Sequence, residues 1–244
     1  MTLRLPALAA LAAAVLAAAA PPAAAQTIDR EALRGEIRAY LLDNPEVIVE
    51  ALEALEARRQ REALGDLAEL VDDGELISAV GPDAGDDGVV TVIELTDYNC
   101  PYCRRAQPEV QALLAADPKV RHVVKALPYI GEDVAERAAV AATLQGAPEK
   151  TRAFHAALMS HNGPLDLASI ERMAGGAGLD SARIMAEMRS DAVTERLGRT
   201  VDAAGALGVR GTPAFVIGDT VRASWLPAEE LIARVAAARS AAAE

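Results

Sequence analysis

The chain contains two cysteines, and both lie in one four-residue run, Cys100-Pro101-Tyr102-Cys103. The run follows a β-prone segment, Val89 to Thr96, and opens a stretch in which Ala106, Val110, Leu113 and Leu114 recur with helical spacing. A bridge closing so small a ring restricts the unfolded chain little and is a poor structural staple. A strand that delivers a cysteine pair to the start of a helix is a stronger constraint. It places the first sulfur beside unpaired N–H groups and the positive end of the helix dipole, both of which stabilise a thiolate. Thiolate is the nucleophile of thiol–disulfide exchange, so the motif reads as chemistry.

Pro101 suits the first helical position, where its missing N–H would have no partner. Cys100, at the exposed helix end, reads as the attacking cysteine. Cys103, one turn on and on the more buried side, reads as the resolving one. The competing use of such a pair is metal binding. A structural zinc site needs four ligands, yet there is no second CxxC, and His122, His155 and His161 lack ligand spacing to the motif. No metal or other cofactor is therefore expected for the main activity, and a two-thiolate copper(I) site is the alternative.

Three segments are expected. Residues 1–25 read as a signal peptide, with Arg4 as the positive n-region, Ala7 to Ala20 as the apolar core and Ala23-Ala24-Ala25 as the cleavage site. Export places the protein in an oxidising compartment, and no later run reaches the ~18 apolar residues of a membrane span. Residues 26–73 read as a helical segment. Asp29 is the N-cap, Leu33, Ile37, Tyr40 and Leu41 share one side, and Asn44-Pro45 breaks the helix. Ile48, Leu52 and Leu55, then Leu64, Leu67 and Val71, continue an apolar stripe in a second helix. This segment has too few large apolar residues for its own core, so it docks on the main domain or on copies of itself as a homo-oligomerisation element.

Residues 74–244 form the main domain. Strands are expected near 75–80, 89–96, 120–127, 214–217 and 221–225, with helices over 101–115 and 227–239. One helix and its loops would take about 20 residues between the third and fourth strands. The chain spends Pro128 to Pro213 there, so a helical subdomain at about 131–207 is inserted into an α/β core. The 52% apolar content supports a core of that size, and with 3% aromatics it must be built from Ala, Leu, Val and Ile. A net charge of −12 argues against nucleic acid or an anionic membrane surface as partner.

Three stretches together carry a resemblance: Val92 to Cys103 (VIELTDYNCPYC), Leu207 to Ile217 (LGVRGTPAFVI) and Ile37 to Ile48 (IRAYLLDNPEVI). They resemble the DsbA family of thioredoxin-fold proteins of the bacterial periplasm, in particular its ScsC-like branch. The resemblance implies a thioredoxin fold with an inserted helical subdomain and an N-terminal helical extension. It implies that Pro213 is a cis-proline facing the cysteines, that Thr212 before it tunes redox behaviour and substrate release, and that Pro101 and Tyr102 join them in binding substrate. Glu94 matches a buried acid that relays a proton to the resolving cysteine, and Pro108 matches a helix-kinking proline. Arg104 and Arg105 are expected to be solvated surface charges.

The implied activity is thiol–disulfide exchange with exported cysteine-containing proteins. An isomerase or reductase would be kept reduced by a membrane partner of the DsbD/ScsB kind, and an oxidase would be reoxidised by one of the DsbB kind. The N-terminal helices favour the first. Strong oxidases of the family carry Cys-Pro-His-Cys, and Tyr102 in place of that histidine lowers the expected potential below the roughly −120 mV of DsbA.

Overall fold

A computed structural model describes residues 29–72 and 76–243. The expected signal peptide, residues 1–25, lies outside the described residues. The boundary between two compact units falls after Glu50. Before it runs α1, Arg30–Asp43, whose first turn is closed by Asp29: Oδ1 accepts the N–H groups of Glu31 and Ala32 at 3.0 and 3.3 Å. At the other end Asn44 donates both its backbone N–H and its side-chain amide to the Tyr40 carbonyl, and Pro45 prevents continuation. No side chain of α1 is buried, and Leu33, Ile37 and Tyr40 are 43, 50 and 58% exposed. A second helix, α2, runs from Glu46 to Asp72.

The unit from Ala51 onward is built on a five-stranded sheet in the order β1-β3-β2-β4-β5. Its strands are β1 (Ser78–Val80), β2 (Val90–Thr96), β3 (Val120–Ala126), β4 (Ala214–Ile217) and β5 (Thr220–Arg222). β2 and β3 are parallel, joined by α3 (Pro101–Ala116), and the other pairings are antiparallel. The last strand starts one residue earlier than its sequence pattern indicates. Gly218, at φ +60°, closes a two-residue turn that puts Thr220 directly opposite Ile217.

Alternation along the strands sorts two apolar layers. Val90, Val92, Val120, Phe215 and Ile217 face α3 and the C-terminal helix through Ala106, Val110, Leu113, Leu231 and Val235. Ile93, Leu95, Val123 and Val216 face Ala203, Ala204 and Val71. Between β3 and β4 come α4 (Val134–Thr143), α5 (Pro148–Ser160), α6 (Leu167–Gly176), α7 (Ser181–Glu187) and α8 (Asp191–Ala206), and the C-terminal helix is α9 (Ala228–Ala241). Asp166, Asp180 and Ser190 cap α6, α7 and α8 with side-chain oxygens. α4 is the centre of this helical layer: Ala135, Ala138, Ala139, Ala141 and Ala142 are fully buried, because only small side chains let helices pack around it on several sides. The fold is the mixed α/β architecture with an N-terminal helical extension that the sequence implies.

Candidate active site

β2 ends at Thr96, and Asp97, Tyr98 and Asn99 turn the chain into α3, whose N-cap is Cys100 and whose first residue is Pro101. The Asp97 carboxyl organises this turn. It accepts the N–H of Asn99 at 2.7 Å and, from the loop after β3, those of Tyr129 and Ile130 at 2.7 and 2.6 Å. Three N–H donors on one buried carboxyl fix the active-site turn to the neighbouring loop.

Both cysteines are free thiols. The Cys100 thiol donates to the Thr212 carbonyl at 3.2 Å, and the Thr212–Pro213 bond is cis. The Thr212 carbonyl therefore stands against the Cys100 sulfur, and Pro213 follows it across the cis bond. The expected exposure of Cys100 is corrected: it is 1% exposed and Cys103 0%, because the proline loop, 112 residues away in sequence, closes over the helix end. What separates the two sulfurs is chemistry rather than access. Burial pushes the Cys103 thiol up to about 12, against the pull of the neighbouring Thr96 hydroxyl, the Asp97 N–H and the Thr212 hydroxyl. The Asp97 N–H lies 3.5 Å from Cys103 Sγ. The two hydroxyls are buried and have no hydrogen-bond partner of their own, so they are free to turn toward sulfur when it ionises. Pro101 and Tyr102 form the open rim beside the pair, Tyr102 being 57% exposed. Pro108 lies inside α3.

Glu94 is wholly buried on β2, opposite Val124 of β3 and Phe215 of β4. Its Oε2 is 2.9 Å from His122 Nε2, and its Oε1 accepts from the Gln107 side chain at 3.4 Å. Sequence reasoning placed Glu94 but missed its histidine. The contact was available in principle: in a parallel pair Glu94 and His122 lie one diagonal apart on the same face.

Other contacts of the site were not indicated by the sequence. Arg104 is not a solvated charge. Its guanidinium donates twice to the Tyr98 carbonyl, at 3.3 and 2.9 Å, and once to the His161 carbonyl, tying α3, the active-site turn and the end of α5 together. Arg105 is exposed but stacks over Trp225, 4.6 Å from the ring centroid. Tyr98 is buried, donates its N–H to Glu136 at 2.8 Å and meets His155 Nδ1 with its hydroxyl at 2.9 Å. Burial holds that hydroxyl protonated, reinforced by the charges of Glu136, Glu94 and Cys103. Burial also lowers His155 to about 4 and so keeps it neutral, and raises Glu136 to about 7. Among the described residues no group of three or more His, Cys, Asp or Glu side chains could hold a metal ion.

A helix-capping cysteine pair under a cis-proline, on a sheet of this topology, defines the fold of a thiol–disulfide oxidoreductase. Residues 131–233 match the DSBA-like thioredoxin domain, and residues 29–62 match the copper resistance protein ScsC N-terminal domain. A thioredoxin-like oxidoreductase from Silicibacter pomeroyi is 40% identical, with a TM-score of 0.63 over 70% of this chain and 96% of that one. A linker-deletion mutant of Proteus mirabilis ScsC is 28% identical, with a TM-score of 0.64 over 90% of this chain and all of that one. The chain belongs to the DsbA-like thioredoxin family and is of the ScsC-like kind. It is also similar to the Na(+)/H(+) antiporter NhaA 3 of Salinispora tropica, 34% identical over 66% of this chain. The chain spans about a quarter of the length of the curated relatives it matches, and among the described residues no helix is long and apolar enough to cross a membrane.

Proposed function

We propose that the protein is a periplasmic thiol–disulfide oxidoreductase that works as a disulfide isomerase and reductase on exported proteins. The observation that carries this reading is the unequal pair: Cys100 on the helix end against the Thr212 carbonyl, and Cys103 held protonated by burial up to about 12. The Cys100 thiolate attacks a substrate disulfide, forming the Cys100–substrate bond and releasing one substrate thiolate, which takes up a proton. The release of the second thiolate requires Cys103 to lose its proton and attack Cys100 Sγ. Because that proton is held tightly, the mixed disulfide lives long enough for the substrate to rearrange internally, and Cys103 then serves as the escape from unproductive complexes. Glu94 is the acid that receives this proton, and Thr212, Pro213, Pro101 and Tyr102 hold the extended substrate segment.

Tyr102, where strong oxidases carry histidine, favours the reductive direction. Such an enzyme must be re-reduced by a membrane partner of the DsbD/ScsB kind, whereas oxidase action would need one of the DsbB kind. The exposed Leu33, Ile37 and Tyr40 of α1 support homo-oligomerisation through residues 26–73. Residues 1–25 serve as the export signal. The copper(I) alternative would use the same two sulfurs as a two-thiolate site.

The test is activity recovered from a scrambled multi-disulfide protein in a glutathione buffer, beside oxidation of the reduced substrate by the oxidised protein. Recovery from the scrambled form is expected. Oxidation without unscrambling makes the protein an oxidase.

A further inference from the structure

The resolving step leaves a proton inside the molecule. Cys103 is fully buried, and so is Glu94, the group placed to receive what Cys103 loses. Both lie on the α3 side of the sheet. Glu94 and Thr96 point to the same face of β2, one pleat or about 7 Å apart along the strand, and Thr96 is the hydroxyl beside the Cys103 sulfur. A carboxyl in this position accepts one proton and is then spent until the proton moves on.

The structure provides an onward route. His122 Nε2 and Glu94 Oε2 are 2.9 Å apart, with side-chain exposures of 6 and 0%. Two bare lone pairs do not approach so closely, so the contact always holds a proton, on nitrogen or on oxygen. His122 also lines a cavity of about 630 Å³ between β1, β3, α3 and α5. The cavity wall includes Gln107, which donates to the other Glu94 oxygen, and the polar groups Ser78, Gln111 and Arg152. Glu149, Gln111 and Ala156 are exposed members of the wall, so the space is open to water. The cavity is far larger than one water needs and is polar enough to hold several. A histidine standing between a buried carboxyl and water can take a proton on one ring nitrogen while losing one from the other.

We infer that His122 is a positioning residue of the exchange site: it holds the Glu94 carboxyl toward α3 and connects it to the water-filled cavity, so that protons leave and enter the site through the β1–β3 side of the sheet. In the resolving step, Cys103 gives its proton through an intervening water to Glu94 and its sulfur bonds to Cys100 Sγ. The Cys100–substrate bond breaks and the substrate leaves as thiolate. The proton then passes from Glu94 to His122 and on to water in the cavity. In the reverse direction the same path supplies the proton that returns to Cys103. The inference rests on the exchange reading and adds to it the path by which Glu94 is reset.

The experiment separates attack from resolution. The reduced full chain is mixed with an aromatic disulfide whose thiolate is coloured. Attack by Cys100 releases one coloured thiolate and resolution by Cys103 releases the second. His122→Ala is expected to lower the ratio of resolution rate to attack rate by about tenfold, less than the roughly 10²–10⁴ of a direct general acid or base because His122 acts through Glu94. Added imidazole should restore the ratio, whereas pyrrole, of the same shape but without a basic nitrogen, should not. On a Glu94→Gln background His122→Ala should lower the ratio no further. Ala156→Trp, which narrows the cavity at an exposed position and leaves the pair intact, should lower the ratio as well, and it decides the matter if His122→Ala does not fold. A wild-type ratio in Ala156→Trp and in a folded His122→Ala overturns the inference, as does rescue by pyrrole equal to that by imidazole. Absence of any coloured thiolate from the wild-type protein overturns the exchange reading itself.

Discussion

α1 is a charged helix and α4 an alanine-rich one, and they treat their apolar groups in opposite ways. In α4 five alanines are completely buried, and the carboxylate of Glu136 is buried with them. In α1 nothing is buried, although Leu33, Ile37 and Tyr40 are larger than the alanines that α4 buries. Burial therefore does not follow residue hydrophobicity along this chain. The helical layer is packed for stability within one molecule, where small residues permit close approach. α1 carries large side chains whose burial, at about 1.5–3 kcal/mol each when complete, is realised only against another surface. A single large row of this kind on an otherwise polar helix is the form an association surface takes. The exchange chemistry sits in the first kind of environment and the proposed oligomerisation in the second.

The strongest way to break this contrast is to replace Leu33, Ile37 and Tyr40 together by Ser. The account predicts a monomer by sedimentation that no longer unscrambles substrates yet still reduces them, with unfolding of the exchange unit unchanged. If the wild-type chain is itself a monomer at every concentration, the oligomer proposal fails.

Glu136→Gln probes the interior. Burial, opposed by the Tyr98 N–H and increased by the Asp97 and Asp133 charges, raises Glu136 from 4.5 to about 7, so the fold prefers its neutral form. For an acid raised in this way, the stabilisation is complete below its unfolded value and is lost as pH rises through about 7. Gln mimics the neutral form, so the variant should exceed the wild type by up to about 3 kcal/mol at alkaline pH and match it in acid. Urea melts on the two sides of neutrality measure this, and a gain of equal size in acid would contradict it. A smaller effect is expected from overpacking α4. Ala139→Leu should cost about 1–3 kcal/mol, whereas Ile37→Ala should leave the stability of the isolated monomer within about 0.5 kcal/mol.

The sequence made local features legible. The strand before the motif, the helix it caps, the Asp29 cap and the break at Asn44-Pro45 all depend on residues a few positions apart, and each is present in the structure. The size of the helical segment between β3 and β4 followed from chain length alone. The features that escaped depend on distant pairs. Asp97 meets Ile130 across 33 residues, Tyr98 meets His155 across 57 and Arg104 meets His161 across 57. Asp97 and Tyr98 lie in a stretch that carries the resemblance, but their partners Ile130 and His155 do not, and nothing near Arg104 distinguishes it from the exposed Arg105. The burial of Cys100 likewise depends on Thr212, and a helix end that looks open in sequence is covered by a loop that arrives much later.

The central claim is the order of the two sulfurs, and it is tested most directly by trapping. Cys103→Ser and Cys100→Ser proteins are each incubated with reduced and scrambled exported proteins, quenched with acid, and analysed by mass spectrometry without reduction. The account predicts that Cys103→Ser accumulates covalent complexes through Cys100, while Cys100→Ser, left with a thiol held protonated by burial, accumulates none. Complexes through Cys103 in the Cys100→Ser protein, at levels comparable to those of the other variant, would contradict it.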